Sequence, residues 1–146
     1  MKKVFLDTNI ILDVMAQRQP FNVPANAIMK LGIEGKISLC ATPLTFANCV
    51  YILKSSYNTS SPINIVKAYK QYIFALTMDD EQCCNALCGD MPDFEDMLQY
   101  QAAIAAGCDY IVTRNERHFP KETIPVVNSE RFLSIFDQEV RQQESV

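Results

Sequence analysis

With 146 residues, 49% of them aliphatic, aromatic or cysteine, the chain has the size of one domain (1–146) and too much apolar side chain to stay disordered. Its formal net charge of −4 argues against a protein that coats nucleic acid through bulk positive charge. No apolar run approaches the length of a membrane span and no N-terminal segment reads as a secretory signal, so a cytoplasmic protein without a membrane partner is expected.

The first element is a strand-like run, Val4-Phe5-Leu6, ending in Asp7-Thr8-Asn9 and turning directly into the apolar-periodic stretch Ile10 to Met15. Residues 22–34 read as a helix carrying Ala27, Ile28 and Leu31, closed by Gly35. A strand from Ile37 to Ala41 follows. Thr42 and Pro43 then form a helix start, threonine as N-cap and proline in the first helical position, with Phe46, Cys49, Val50 and Leu53 as its apolar stripe. Asn58 to Pro62 is a loop. A helix is predicted from about Ile63 to Phe74, a weak strand from Ala75 to Met78, and a short helix up to Cys88 that Gly89 to Pro92 break. A helix from Phe94 to Ala106 stops at Gly107, and strands at Tyr110 to Val112 and Ile124 to Val127 precede a terminal helix from Ser129. Strands alternating with helices imply α/β architecture, a three-layer α/β/α sandwich with a mainly parallel central sheet.

Six cysteines invite a disulfide or metal reading, but Cys40, Cys49 and Cys108 fall in apolar periodic stretches, where cysteine acts as a small hydrophobe. Cys84 and Cys88 have i, i+4 spacing, yet the chain has no C-x-x-C pair and a single histidine, so all six are read as reduced thiols. The charge is unevenly spread. Between Lys70 and Arg114 there is no Lys or Arg, while Asp79, Asp80, Glu81, Asp90, Asp93, Glu95, Asp96 and Asp109 all lie there. Such a run is usually a solvated face, but carboxylates gathered by a fold are also what hard divalent cations require.

Three polar clusters stand at strand–helix junctions: Asp7-Thr8-Asn9, Asp93-Phe94-Glu95-Asp96 and Thr113-Arg114-Asn115. Each has a local explanation. Asp7 and Asn9 are favoured N-caps, Asp93 and Asp96 have the N-cap to N3 spacing of a capping box, and Asn115 can cap a turn into Glu116 to Phe119. Capping does not explain why all three lie beyond the carboxyl ends of strands, where open α/β sheets gather their chemistry.

Together, VFLDTNIILD, DFEDMLQYQAA and DYIVTRNERHF make the chain resemble the PIN domain, a family of metal-dependent nucleases, from Lys3 to about Phe136. The resemblance implies a PIN-like fold, one or two magnesium or manganese ions (Mg2+ or Mn2+), and hydrolysis of RNA phosphodiester bonds. Asp7 matches the family's first acid and Asp96 its third, with Asp93 close enough to assist at the metal. Thr8 and Asn9 match the polar pair beside the first acid, and Thr113, Arg114 and Asn115 the strand-end motif that closes the site. Asn48 aligns with the second acid and Asn115 with the fourth, so two expected catalytic carboxylates are amides here. An amide oxygen can ligate a cation or orient water but cannot neutralise it or take a proton at neutral pH. Asp93, Glu95 and Asp13 are the available substitutes. Glu95 and Asp96 are adjacent on a helix, about 100° apart, so one of them, Asp96, is expected to face the metal fully.

Arg114, Arg117, His118 and Lys121 are ordinary loop charges unless they border a metal–phosphate centre, where they would grip the RNA backbone and His118 could shuttle a proton. Tyr51, Tyr57 and Tyr69 suit base stacking or, more simply, helix packing. The leading expectation is an endoribonuclease acting as the toxin of a toxin–antitoxin pair. Its implied partners are an RNA substrate and a small antitoxin protein, with a homodimer as a further assembly. The alternatives are a catalytically impaired binding module of the same fold, and a dehalogenase-type phosphatase, which needs an aspartate where Asn9 stands.

Overall fold

In the computed structural model, which describes residues 1–90 and 93–145, a five-stranded, all-parallel sheet has strand order β3-β2-β1-β4-β5. The strands are β1 Lys3–Leu6, β2 Ser38–Ala41, β3 Ile73–Ala75, β4 Tyr110–Val112 and β5 Val126–Val127. Between and after them lie α1 Thr8–Met15, α2 Asn22–Ile33, α3 Pro43–Ser55, α4 Pro62–Lys70, α5 Asp80–Leu87, α6 Phe94–Ala105 and α7 Ser129–Glu144.

The central strands are apolar at successive positions because both sheet faces are covered. Val4 and Leu6 of β1, Leu39 and Ala41 of β2, and Val112 of β4 point into one core with α1, α2, α3, α4 and α7, sealed by the fully buried Phe132. Phe5, Cys40, Ile111 and Val126 point the other way, onto Ala86 of α5 and Met97, Tyr100 and Ala103 of α6. Three layers result. Helix α2 comes close to the sheet at Gly32, where an added Cβ would collide with the Leu39 side chain.

Several boundaries differ from those predicted. The helix expected over 63–74 stops at Lys70, and the strand expected at 75–78 lies at Ile73–Ala75. Ile73 and Phe74 continue a helical spacing, but pairing of Ile73 to Ala75 with Leu39 to Ala41 buries Ile73 and leaves Phe74 exposed, which is the alternation of an edge strand. The last strand is shorter than 124–127 because Pro125 has no N–H to donate, although its carbonyl accepts from Ile111 N at 3.0 Å. Helix α1 begins at Thr8 rather than Ile10. The inward residues of α2 are Ala25, Ile28 and Met29, while Ala27 is exposed. Helix α5 ends at Leu87 with Cys88 as its C-cap, and the rest of the expected breaker lies partly outside the described residues, at 91–92. Cys40, Cys49 and Cys108 are buried in the core as expected, whereas Cys84 and Cys88 are exposed.

The order β2-β1-β4-β5 sets the ends of β1 and β4 side by side. Register pairs Leu6 with Val112, so Asp7 and Thr113 emerge next to each other at the carboxyl edge.

Candidate active site

Asp7 follows the last residue of β1 and caps α1. Its backbone N–H continues the ladder to Val112 O at 3.0 Å, and its carbonyl accepts from Ile10 N at 3.0 Å. Its side chain, 4% exposed, accepts from Thr8 N at Oδ1 (2.8 Å) and from Thr113 Oγ1 at Oδ2 (2.8 Å). The Thr113 hydroxyl in turn accepts from Asn115 N at 3.0 Å. One buried threonine therefore fixes both the first carboxylate and the loop beyond β4. Thr8 is held by a hydroxyl contact to Thr45 at 3.0 Å, and Thr45 N donates to the N-cap Thr42 at 3.3 Å. Burial raises the Asp7 carboxyl above its ordinary range, while the Thr113 and Thr8 hydrogen bonds and the charge of His118 pull the other way.

The facing wall is the first turn of α6. Asp93 caps it, accepting from Asp96 N at 3.0 Å, so half of the expected capping box is present. Asp96 turns Oδ2 to His118 Nδ1 at 3.0 Å, and Glu95 accepts from Asn48 Nδ2 of α3 at 2.7 Å. Asn48 therefore stands at the wall of the site, holding an acid where the aligned residue would be one. Burial, then the charge of Asp7, pushes Asp96 up to about 6. Glu95 is raised by burial, then by Asp93 and Asp7. Asp7, Asp93, Glu95 and Asp96 thus lie in one another's field, and among the described residues none of them pairs with a Lys or Arg.

Asn9 and Arg114 are engaged away from the acidic cluster. Asn9 faces Arg18, whose Nη2 donates to its carbonyl at 2.9 Å and to its Oδ1 at 3.2 Å. Arg114 turns away from the acids, its Nη2 3.2 Å from Asp13 Oδ1 and its guanidinium 4.0 Å above the centre of the Phe21 ring. Asp13 is no substitute for a missing acid, since it is fully buried and also engaged by Arg18 Nε at 2.9 Å. Arg117 and Asn115 sit on the exposed loop with His118 and line one groove with it. Tyr51 and Tyr57 are exposed, and Tyr69 packs against the core. Thr45 is the contributor that patterning did not single out. Its signal is the Thr42-x-x-Thr45 spacing, which puts a hydroxyl in the first turn of a capped helix.

A sequence profile described as the PIN domain matches residues 3–117. The chain belongs to the PIN domain family. Ribonuclease VapC1 of Aquifex aeolicus is 25% identical over 136 residues, covering 90% of this chain and 93% of that protein. Among solved structures, DNA-bound VapBC from Salmonella typhimurium superposes with a TM-score of 0.65 at 18% identity, covering 88% of this chain and 99% of that one. VapBC-1 from nontypeable Haemophilus influenzae gives 0.62 at 18% identity, covering 88% and 98%. At that identity the likeness is one of fold.

This PIN domain therefore presents four carboxylates that, among the described residues, meet no Lys or Arg and have one basic neighbour, His118 on Asp96. Their chemistry, hard oxygen donors whose charges repel, fits a magnesium- or manganese-sized divalent ion. Among the described residues no three His, Cys, Asp or Glu side chains close round a single point, because Asp96 is turned to His118 and Glu95 to Asn48. The donors line the walls of the site.

Proposed function

We propose that the chain is a divalent-metal-dependent endoribonuclease that hydrolyses RNA phosphodiester bonds and acts as the toxin of a toxin–antitoxin pair. The observation that carries this reading is the acidic cluster of Asp7, Asp93, Glu95 and Asp96 at the carboxyl edge of the sheet, with His118 as its basic neighbour and, among the described residues, no Lys or Arg paired to it. Membership of the PIN family and a relative named as a ribonuclease support it, and the VapBC complexes among the fold neighbours support a small antitoxin as partner.

Asp7 and Asp96 would hold the metal, with Asp93 assisting from the cap position. When bound, such an ion polarises a phosphoryl oxygen and lowers the pKa of a water so that it can attack phosphorus. The chain's own residues do the positioning. Thr113 and the Thr8 N–H fix both Asp7 oxygens, Asn48 orients Glu95, and His118 holds Asp96. Arg117, exposed on the loop, would meet the RNA backbone. Asn115 borders the site with a neutral amide and adds no charge.

RNA cleavage by purified protein with magnesium, manganese or chelator tests the reading. Cleavage that needs the metal and is lost in Asp7→Asn supports it. The neutral Asn48 and Asn115 favour a second reading, a binding module with impaired catalysis, which RNA binding without metal-dependent cleavage would establish.

A further inference from the structure

Helix α3 carries an i±3 row, Thr45-Asn48-Tyr51-Lys54, that rises from the floor of the site to solvent. Thr45 is fully buried, its hydroxyl 3.0 Å from that of Thr8 beside Asp7. Asn48 donates to Glu95 at 2.7 Å. Tyr51 is 72% exposed, and Lys54, in the last turn, is exposed and forms no ion pair among the described residues. Neighbours in such a row have Cβ atoms about 5–6 Å apart, and the Cα–Cβ bonds of a helix tilt towards its N-terminus. In α3 that is the end at the site, so the row leans back towards the acids.

A single exposed ring is ordinary on a protein surface. The order along the row narrows its role. Beside the acids stand a hydroxyl and an amide, one step further out a ring, and one step beyond that an ammonium group. A nucleic-acid strand offers the same sequence of groups: a phosphate at the acids, the base of the flanking nucleotide, then the next phosphate. Aromatic rings stack on unpaired bases of any identity, and Lys meets phosphate as a point charge. A protein partner has no such fixed alternation.

We propose that this row is the path of the RNA strand leaving the acidic cluster, with Tyr51 stacking on the base of the nucleotide that flanks the cleaved phosphate and Lys54 pairing with the next phosphate. The proposal rests on the ribonuclease reading, which puts the ion and the cleaved phosphate at Asp7 and Asp96. Both residues act in binding, since they hold the strand and touch no reacting atom. Lys54 also suits the C-terminal end of the helix dipole, a role that RNA would not sense.

The test is fluorescence anisotropy of a labelled, unstructured oligoribonucleotide in chelator over a range of salt, paired with steady-state cleavage in manganese. Tyr51→Ala should weaken binding on the order of tenfold, the loss of one base stack, and Tyr51→Phe should restore it. Lys54→Gln should make the salt dependence shallower by about 0.7 in log–log slope, the value of one phosphate contact on a single strand. In cleavage, Tyr51→Ala and Lys54→Gln should raise KM and leave kcat unchanged. Alanine is a better helix former than tyrosine, so lost affinity in Tyr51→Ala does not report a broken helix. Phe74, 68% exposed and lining a pocket with Lys3 and Ser38 at the opposite edge of the sheet, is the control. Wild-type affinity in Tyr51→Ala, an unchanged salt slope in Lys54→Gln, or an equal loss from Phe74→Ala overturns the path and leaves the row to a protein partner. Metal-dependent cleavage that none of these variants alters removes only the path, whereas a wild type that neither binds nor cleaves RNA removes the ribonuclease reading as well.

Discussion

Asp7 and Asp96 share the property of a carboxylate pushed towards its neutral form by burial and by its acidic neighbours. A divalent ion relieves both pressures, so Asp7→Asn and Asp96→Asn should each weaken manganese binding by tenfold or more in calorimetry while the apo protein stays folded. Unchanged affinity in both would return the two residues to capping. Asn48 gives a sharper test. Its Nδ2 donates to Glu95 Oε1 at 2.7 Å, so Asn48→Glu exchanges a hydrogen bond for two facing carboxylates. In chelator that variant should melt lower, by the equivalent of about 1–2 kcal/mol for a lost charged hydrogen bond plus like-charge repulsion. In manganese it should bind more tightly and cleave faster than wild type. A lower melting temperature with unchanged metal affinity would detach Asn48 from the site. At this scale the sequence was readable where a residue's type and place agree, as for Asp7 with Thr113. It did not foresee strong neighbours, as where Arg18 engages Asn9 and Asp13 engages Arg114.

Those contacts are element-scale events. Asp13, on the buried face of α1, receives Arg18 from just beyond that helix and Arg114 from the loop after β4, so one carboxylate ties α1 to the loop that carries Thr113 and Asn115. Removing one partner of a buried ion pair leaves the others uncompensated. Asp13→Ala should therefore cost about 3–5 kcal/mol in urea unfolding, well above Arg18→Ala, which leaves Asp13 its second guanidinium. Equal small losses would mean that solvent screens the pair. Patterning located the helices of this network because their apolar spacing is local. It could not locate the network, since an i, i+5 pair and a contact spanning a hundred residues leave no periodic trace. The β3 boundary failed for a related reason. Ile73 and Phe74 suit a helix face and an edge strand equally, and only the partner strand β2 decides.

Across the whole molecule, these raised carboxyls give the metal-free protein an unusual response to pH. Asp96 moves from an ordinary 3.8 to about 6, and Asp7, Glu95 and Asp13 shift in the same direction, so between those values the folded state binds more protons than the unfolded state. Stability changes with pH in proportion to protons bound unfolded minus protons bound folded, and this difference is negative here. In chelator the melting temperature should therefore fall as pH rises from about 4 to about 6 and level off above, the reverse of ordinary acid denaturation. Manganese should invert the slope. A bound cation keeps its ligands deprotonated, so the folded state then holds fewer protons than the unfolded chain, and stabilisation by the metal should grow as pH rises through about 6. Asp96→Asn removes the largest titrating contribution and should flatten both profiles. Scanning fluorimetry from pH 4.5 to 7.5, with and without manganese, reads all of this in one experiment. Parallel rising profiles in chelator and in manganese would show that the four acids neither feel one another in the folded protein nor share an ion.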